Sequence, residues 1–104
     1  MPRKPPKTYM NLQKKHPELL RALQALGEAV RQAGPLDRKT AHLIQLAAAA
    51  AVRSEGSVHS HVRRALEAGA KPEEVRHALI LLTSTIGFPT VAAALTWAGD
   101  ILEK

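Results

Sequence analysis

Residues 54–69, SEGSVHSHVRRALEAG, are the stretch from which the fold and the candidate site can be predicted. In a helix, at about 100° per residue, Ser54, Ser57 and His61 lie within about 60° of one another on one face. Ala68 and Gly69 are typical of a helix end, because glycine accepts the left-handed conformation there. This polar face is therefore the first candidate for a chemical site.

The remainder of the chain has the apolar spacing of helices and no pattern that indicates a strand. Leucine and valine recur at three- and four-residue intervals, proline and acidic residues stand at two helix starts, and aromatic residues make up only 3% of the chain. Small side chains suit closely packed helices, so the sequence predicts an all-α protein. The predicted helices cover residues 17–33, 38–52, 54–68, 72–86 and 90–103.

Length and charge predict how the chain is organised. At 104 residues the chain has room for one domain with a modest core, and its net charge is +6. Part of the excess lies in residues 1–15, which also contain three prolines, so we expect a basic, flexible arm over 1–15 and a helical domain over 16–104. We expect the small core to be completed by self-association, with Trp97 facing a partner subunit.

Several classes of function are excluded or disfavoured. The chain has no cysteine, which excludes disulfides and thiol chemistry. No apolar run resembles a signal peptide or a membrane span, so we expect a soluble, cytoplasmic protein with no membrane partner. The basic residues raise nucleic-acid binding as an alternative, but few aromatic residues are available for stacking and no recognition motif is visible, so we do not expect it.

Histidines near residues 54–69 raise the question of a metal ion. His59 and His61 project about 200° apart on a regular helix and cannot hold one ion together. His42 and His61 are able to do so if their two helices pack together. A structural role for His42 remains an alternative, and we predict no metal ion and no cofactor.

Three segments together resemble the carboxymuconolactone decarboxylase family, including its alkylhydroperoxidase D-like branch. They are LDRKTAHLIQLAAAAAV, SEGSVHSHVRRALEAGAKPEEVRHALI and GFPTVAAAL, and the resemblance covers residues 36–95. It implies an alkylhydroperoxidase D-like helical domain that assembles as a dimer, trimer or hexamer.

The resemblance also implies a set of site residues. Where the redox branch has Cys-x-x-Cys-x-x-x-His, this chain has Ser54, Ser57 and His61, and where that branch has a glutamate on the preceding helix it has His42. An alcohol cannot form a disulfide, so thiol peroxidase activity is not expected. The decarboxylase branch also keeps this histidine but usually carries a carboxylate near position 57, which is absent here.

The implied function is proton transfer on a small carboxylate or lactone. His61 is the expected general acid or base and His42 the second proton carrier, while Ser57 and Ser54 are expected to orient substrate or water. The alternative is a non-catalytic binding or assembly protein on the same fold.

Overall fold

A computed structural model describes residues 7–103, and within this range all regular secondary structure is helical. The described residues form two compact units, 7–36 and 37–103. The helices are α1 (Lys7–Lys15), α2 (Pro17–Arg31), α3 (Arg38–Ala51), α4 (Glu55–Glu67), α5 (Pro72–Ile80), α6 (Thr83–Ile86) and α7 (Phe88–Leu102). The all-α prediction is confirmed.

The first unit is a pair of helices, of which only α2 was predicted. Lys14 and Lys15 lie in the last turn of α1, where positive charge is favourable beside the free carbonyl groups. Tyr9 of α1 accepts a hydrogen bond from the Gln24 side chain of α2 at 3.2 Å. Residues 7–15 are helical. Residues 1–6 of the predicted arm lie outside the described residues, and the division at residue 15 stays a prediction.

The apolar stripe that predicted α2 is largely exposed. In α2 only Leu20 is buried, while the four apolar residues of the stripe are each about half exposed to solvent. These four are Leu19, Leu23, Leu26 and Val30. The periodicity predicted the helix correctly, and the four stripe residues are not buried against α1 within the first unit.

The second unit contains the core. Asp37 caps α3, since its carboxylate accepts a hydrogen bond from the Thr40 backbone N–H at 2.7 Å. The packing of α3 against α4 is the most extensive between any two described helices, and α4 also packs against α7. The alanine-rich end of α3 allows this close approach. The most deeply buried core residues are Leu46, Ala50, Val58, Val62, Ala65, Val75, Leu79, Ala94 and Ala98.

Helices α3 and α4 end in the same way. In each, two backbone N–H groups beyond the helix donate hydrogen bonds to carbonyl groups near its end. After α3, Ser54 donates to Ala49 and Arg53 donates to Ala50, and the equivalent bonds form after α4. This is the Schellman arrangement, which needs a left-handed residue just past the helix. Gly69 fills that position after α4, as predicted, with φ 103°, whereas Arg53 fills it after α3 with φ 57°.

The predicted helix over 72–86 is wrong in one respect, because it is divided into α5 and α6. Its start is as predicted, with Pro72 in the first turn and Glu74 accepting a hydrogen bond from the Lys71 N–H at 2.9 Å. A turn at residues 81–82 then separates the two helices, and the Thr83 hydroxyl donates to the Ile80 carbonyl at 2.8 Å. This side-chain bond competes with continuation of the helix.

The last helix begins two residues earlier than predicted. Gly87 precedes it with φ 91°, a value that favours glycine, and Pro89 is accommodated in the first turn of α7. Trp97 is half-buried and packs against the core of its own chain, which differs from its predicted position off the apolar stripe. Among the described residues no helix is long and apolar enough to span a membrane.

Candidate functional site

The structure brings His42 and His61 together. His42 lies on α3 and is completely buried, and His61 lies on α4 and is partly buried. Their Nδ1 atoms are 3.3 Å apart, the ring centroids are 5.5 Å apart, and the rings are inclined by 40°. The question left open by the sequence, whether these two histidines meet, is thus answered by the packing of α3 on α4.

The geometry of this pair sets its chemistry. A hydrogen bond between two Nδ1 atoms needs one ring to donate and the other to accept, so at least one of the two nitrogens is unprotonated. Placing a full charge on both rings at once would set like charges side by side at a site that is partly shielded from water. The arrangement therefore suits one proton shared between the two Nδ1 atoms, which are in direct hydrogen-bond contact.

The two serines have different surroundings from the histidines. Ser54 is the N-cap of α4, and its hydroxyl accepts a hydrogen bond from the Ser57 backbone N–H at 3.4 Å. Ser57 is exposed and lies one turn before His61 on α4. The hydrogen bond of Ser54 goes to Ser57 rather than to a histidine, so capping accounts for Ser54.

His59, on another side of α4, has a partner that the sequence did not predict. Its Nε2 atom lies 3.0 Å from the Asp100 carboxylate of α7, and the side chains are 17% and 40% exposed. Glu55 lies one turn before His59, and one ligand atom from each of the three residues falls within 4.8 Å of the other two. The four-residue spacing of Glu55 and His59 is visible in the sequence, but Asp100 is 41 residues from His59 and only the packing of α7 brings it near.

A groove on the second unit is separate from the histidine pair. It lies between α3 and α5, has a volume of about 400 Å³ and is mostly apolar. Leu43, Ile44, Ala47, Ala78, Leu81 and Leu82 supply its apolar lining, and Thr40, Glu74 and His77 its polar lining. Neither His42 nor His61 lines it, so the groove is not assigned to the site.

Comparison with known proteins agrees with this architecture. The sequence profile described as the carboxymuconolactone decarboxylase family matches residues 17–100. A protein of Haemophilus influenzae (strain ATCC 51907 / DSM 11121 / KW20 / Rd), described as an uncharacterized protein, is 42% identical over 59 residues. This alignment covers 57% of the present chain and 52% of the relative, so the chain spans about half the length of that protein. Among solved structures no significant match is found.

The family match extends over most of the chain and includes His42, His61 and the two capped helices that carry them. The chain therefore belongs to the carboxymuconolactone decarboxylase family.

Proposed function

We propose that this protein is a divergent, cysteine-free member of its family in which His61 transfers a proton to or from a small carboxylate or lactone. The observation that carries the proposal is the 3.3 Å contact between the Nδ1 atoms of His61 and His42. A histidine that is partly accessible and contacts a second, buried histidine has both access to a substrate and a neighbouring ring nitrogen that can share its proton.

The two histidines take different roles because their burial differs. His61 is accessible and acts on the substrate, whereas His42 is fully buried and can only act through His61. Ser57, exposed one turn before His61, orients a substrate oxygen or a water molecule. Ser54 holds the first turn of α4 in place. His42 is therefore a positioning and proton-accepting residue, and Ser54 supports the site through the helix.

A decarboxylation balances on these groups. The bond between the carboxylate and its neighbouring carbon breaks, carbon dioxide leaves, and the electron pair stays on that carbon. Protonated His61 gives its proton to the carbon, and the neutral ring then takes up a proton from solvent water. The net charge of +6 attracts an anionic substrate.

The second candidate function is a non-catalytic binding or assembly protein on the same fold. The exposed apolar stripe of α2, with Leu23 and Leu26 each more than half exposed, favours it, because such a surface usually contacts another protein. The proposed partner is a second copy of the chain, in a dimer, trimer or hexamer. An enzyme can also self-associate, so the two candidates differ only in whether the protein turns over a substrate.

The test uses carboxymuconolactone and a panel of small lactones and carboxylates, with release of carbon dioxide and loss of substrate as readouts. We expect His61→Gln to lower the rate by about 100-fold or more, and His42→Gln to lower it less. The matched control is His77→Gln, which changes an exposed histidine on α5. If no compound is turned over and none shifts the NMR signals of the His61 ring, the assembly candidate replaces the enzyme.

A further inference from the structure

We propose that Glu55, His59 and Asp100 form a divalent transition-metal site that joins α4 to α7. The three side chains supply two carboxylate oxygens and one imidazole nitrogen, and one ligand atom from each lies within 4.8 Å of the other two. This site is distinct from the histidine pair, because His59 and His61 project from different sides of α4.

Distances and helix geometry support the assignment. Two ligands of one tetrahedral zinc ion, each at about 2.0–2.2 Å from it, are separated by about 3.3–3.6 Å. The 3.0 Å between His59 Nε2 and Asp100 Oδ2 is only a few tenths of an ångström shorter, so an ion can replace the direct contact after a small movement of the two side chains. Glu55 and His59 lie one turn apart on α4, which is the spacing that places two ligands on one side of a helix.

Charge and donor type indicate the class of ion. Two carboxylates and a neutral imidazole balance the charge of a divalent cation in a chain that is otherwise strongly basic. A mixed nitrogen and oxygen set suits Zn²⁺, Co²⁺, Ni²⁺ or Mn²⁺, whereas Mg²⁺ and Ca²⁺ prefer oxygen ligands alone. Asp100 also lies in the last turn of α7, where the helix dipole favours positive charge.

The consequence is a cross-link between two helices of the core. His59 is held by the packing of α4, with a side chain only 17% exposed, while Glu55 is exposed at the start of that helix. His59 is thus fixed before binding and already contacts Asp100, and Glu55 closes on the ion. Water molecules complete the coordination, which leaves open positions as in catalytic rather than structural sites.

The test is a titration of the untagged full chain, treated with a chelator, with Zn²⁺ by isothermal calorimetry and thermal unfolding. We expect one equivalent of Zn²⁺ to bind and to raise the unfolding temperature. His59→Gln and Asp100→Asn should each weaken zinc binding by more than about tenfold. Mutating a residue that only hydrogen-bonds to a metal ligand already costs about this much affinity. His77→Gln should bind as the wild type does. Mg²⁺ should not compete at equal concentration.

Three outcomes overturn the proposal: no zinc binding by the wild type, equal loss in His77→Gln, or loss in His61→Gln with binding retained in His59→Gln. The last result would place the ion on the histidine pair instead. Because His59→Gln also removes the contact with Asp100, its folding is checked without metal by circular dichroism, and Glu55→Gln provides a second variant that leaves that contact intact.

Discussion

His42 on α3 and His61 on α4 meet through their Nδ1 atoms at 3.3 Å, although 19 residues separate them in the chain. The contact joins the two helices whose packing dominates the core, and it combines a fully buried ring with a partly accessible one. We therefore expect His42 to contribute more to the stability of the fold and His61 to contribute more to ligand binding or turnover.

Replacing each histidine by alanine tests this division. His42→Ala removes a completely buried ring and should lower the free energy of unfolding by about 2–4 kcal/mol, since the core cannot close the space fully. His61→Ala should cost about 1 kcal/mol or less, while reducing ligand binding or turnover much more. Urea unfolding of both variants measures the first effect and a binding titration the second. If His61→Ala unfolds as easily as His42→Ala and binds as the wild type does, His61 is a structural residue.

Arg53 and Gly69 occupy the same position after α3 and α4, and they differ in their steric cost. A left-handed residue with a Cβ costs about 1–2 kcal/mol, which glycine avoids. Arg53→Gly should raise the free energy of unfolding by up to about 1 kcal/mol, and Gly69→Ala should lower it by about 1 kcal/mol or more. Beyond the two adjacent residues, no atom lies within 4 Å of a Cβ placed on Gly69, so that loss would come from the local backbone conformation.

The control for Arg53 concerns its side chain. The guanidinium donates to the Thr90 hydroxyl at 3.1 Å, and this bond is lost together with the strain in Arg53→Gly. Thr90→Ala removes the bond alone, so its change in the free energy of unfolding is subtracted from that of Arg53→Gly. If Arg53→Gly still destabilises the protein after this correction, the arginine backbone is not strained.

Glu74 should contribute to acid sensitivity. Hydrogen bonds from the Lys71 backbone N–H and then from the Lys39 ammonium group, at 3.1 Å, lower the pKa of its carboxyl group. A pKa lowered by folding stabilises the protein above the unfolded-state pKa, and this contribution is lost as the pH falls through the folded-state pKa. Glu74→Gln should therefore flatten the decline in stability below about pH 4.5. Thermal unfolding between pH 3 and pH 7 measures the slope, with Glu73→Gln as control; equal slopes in both variants would contradict the assignment.

The positions of Ser54 and Ser57 can be tested with cysteine. Residues three apart at the start of a helix lie on the same side of it, and the Ser54 hydroxyl accepts a hydrogen bond from the Ser57 backbone N–H. The double variant Ser54→Cys, Ser57→Cys should therefore form a reversible disulfide. It should lose about 1 kcal/mol in the reduced state, because the serine cap is gone. Thiol titration before and after mild oxidation tests this, and two free thiols after oxidation would show that these positions do not correspond to the cysteine pair of the redox branch.

The fold was largely predictable because its determinants are local. Proline and acidic residues at helix starts, glycine at helix ends and apolar periodicity identified α2, α3, α4 and α7 to within a few residues. The sequence did not predict the turn that separates α5 from α6, since it depends on a hydrogen bond from Thr83 back to Ile80. Nor could it predict the contact of His59 with Asp100, because helix packing, not spacing, brings these residues together.

The exposed stripe on α2 leads to a prediction of self-association. Leu19, Leu23, Leu26 and Val30 lie on one face of the helix, and each is about half exposed. Leaving so much apolar surface in water is unfavourable, at roughly 25 cal/mol for each Å². Light scattering at micromolar concentration should therefore find a species heavier than the 11.3 kDa chain.

Leu26→Glu should shift the protein towards monomer, because it places a charge in the stripe. Ala25→Glu, which adds the same charge about 100° further round the helix, should not. A wild type of 11.3 kDa, or equal dissociation in both variants, would show that α2 does not bind a second copy.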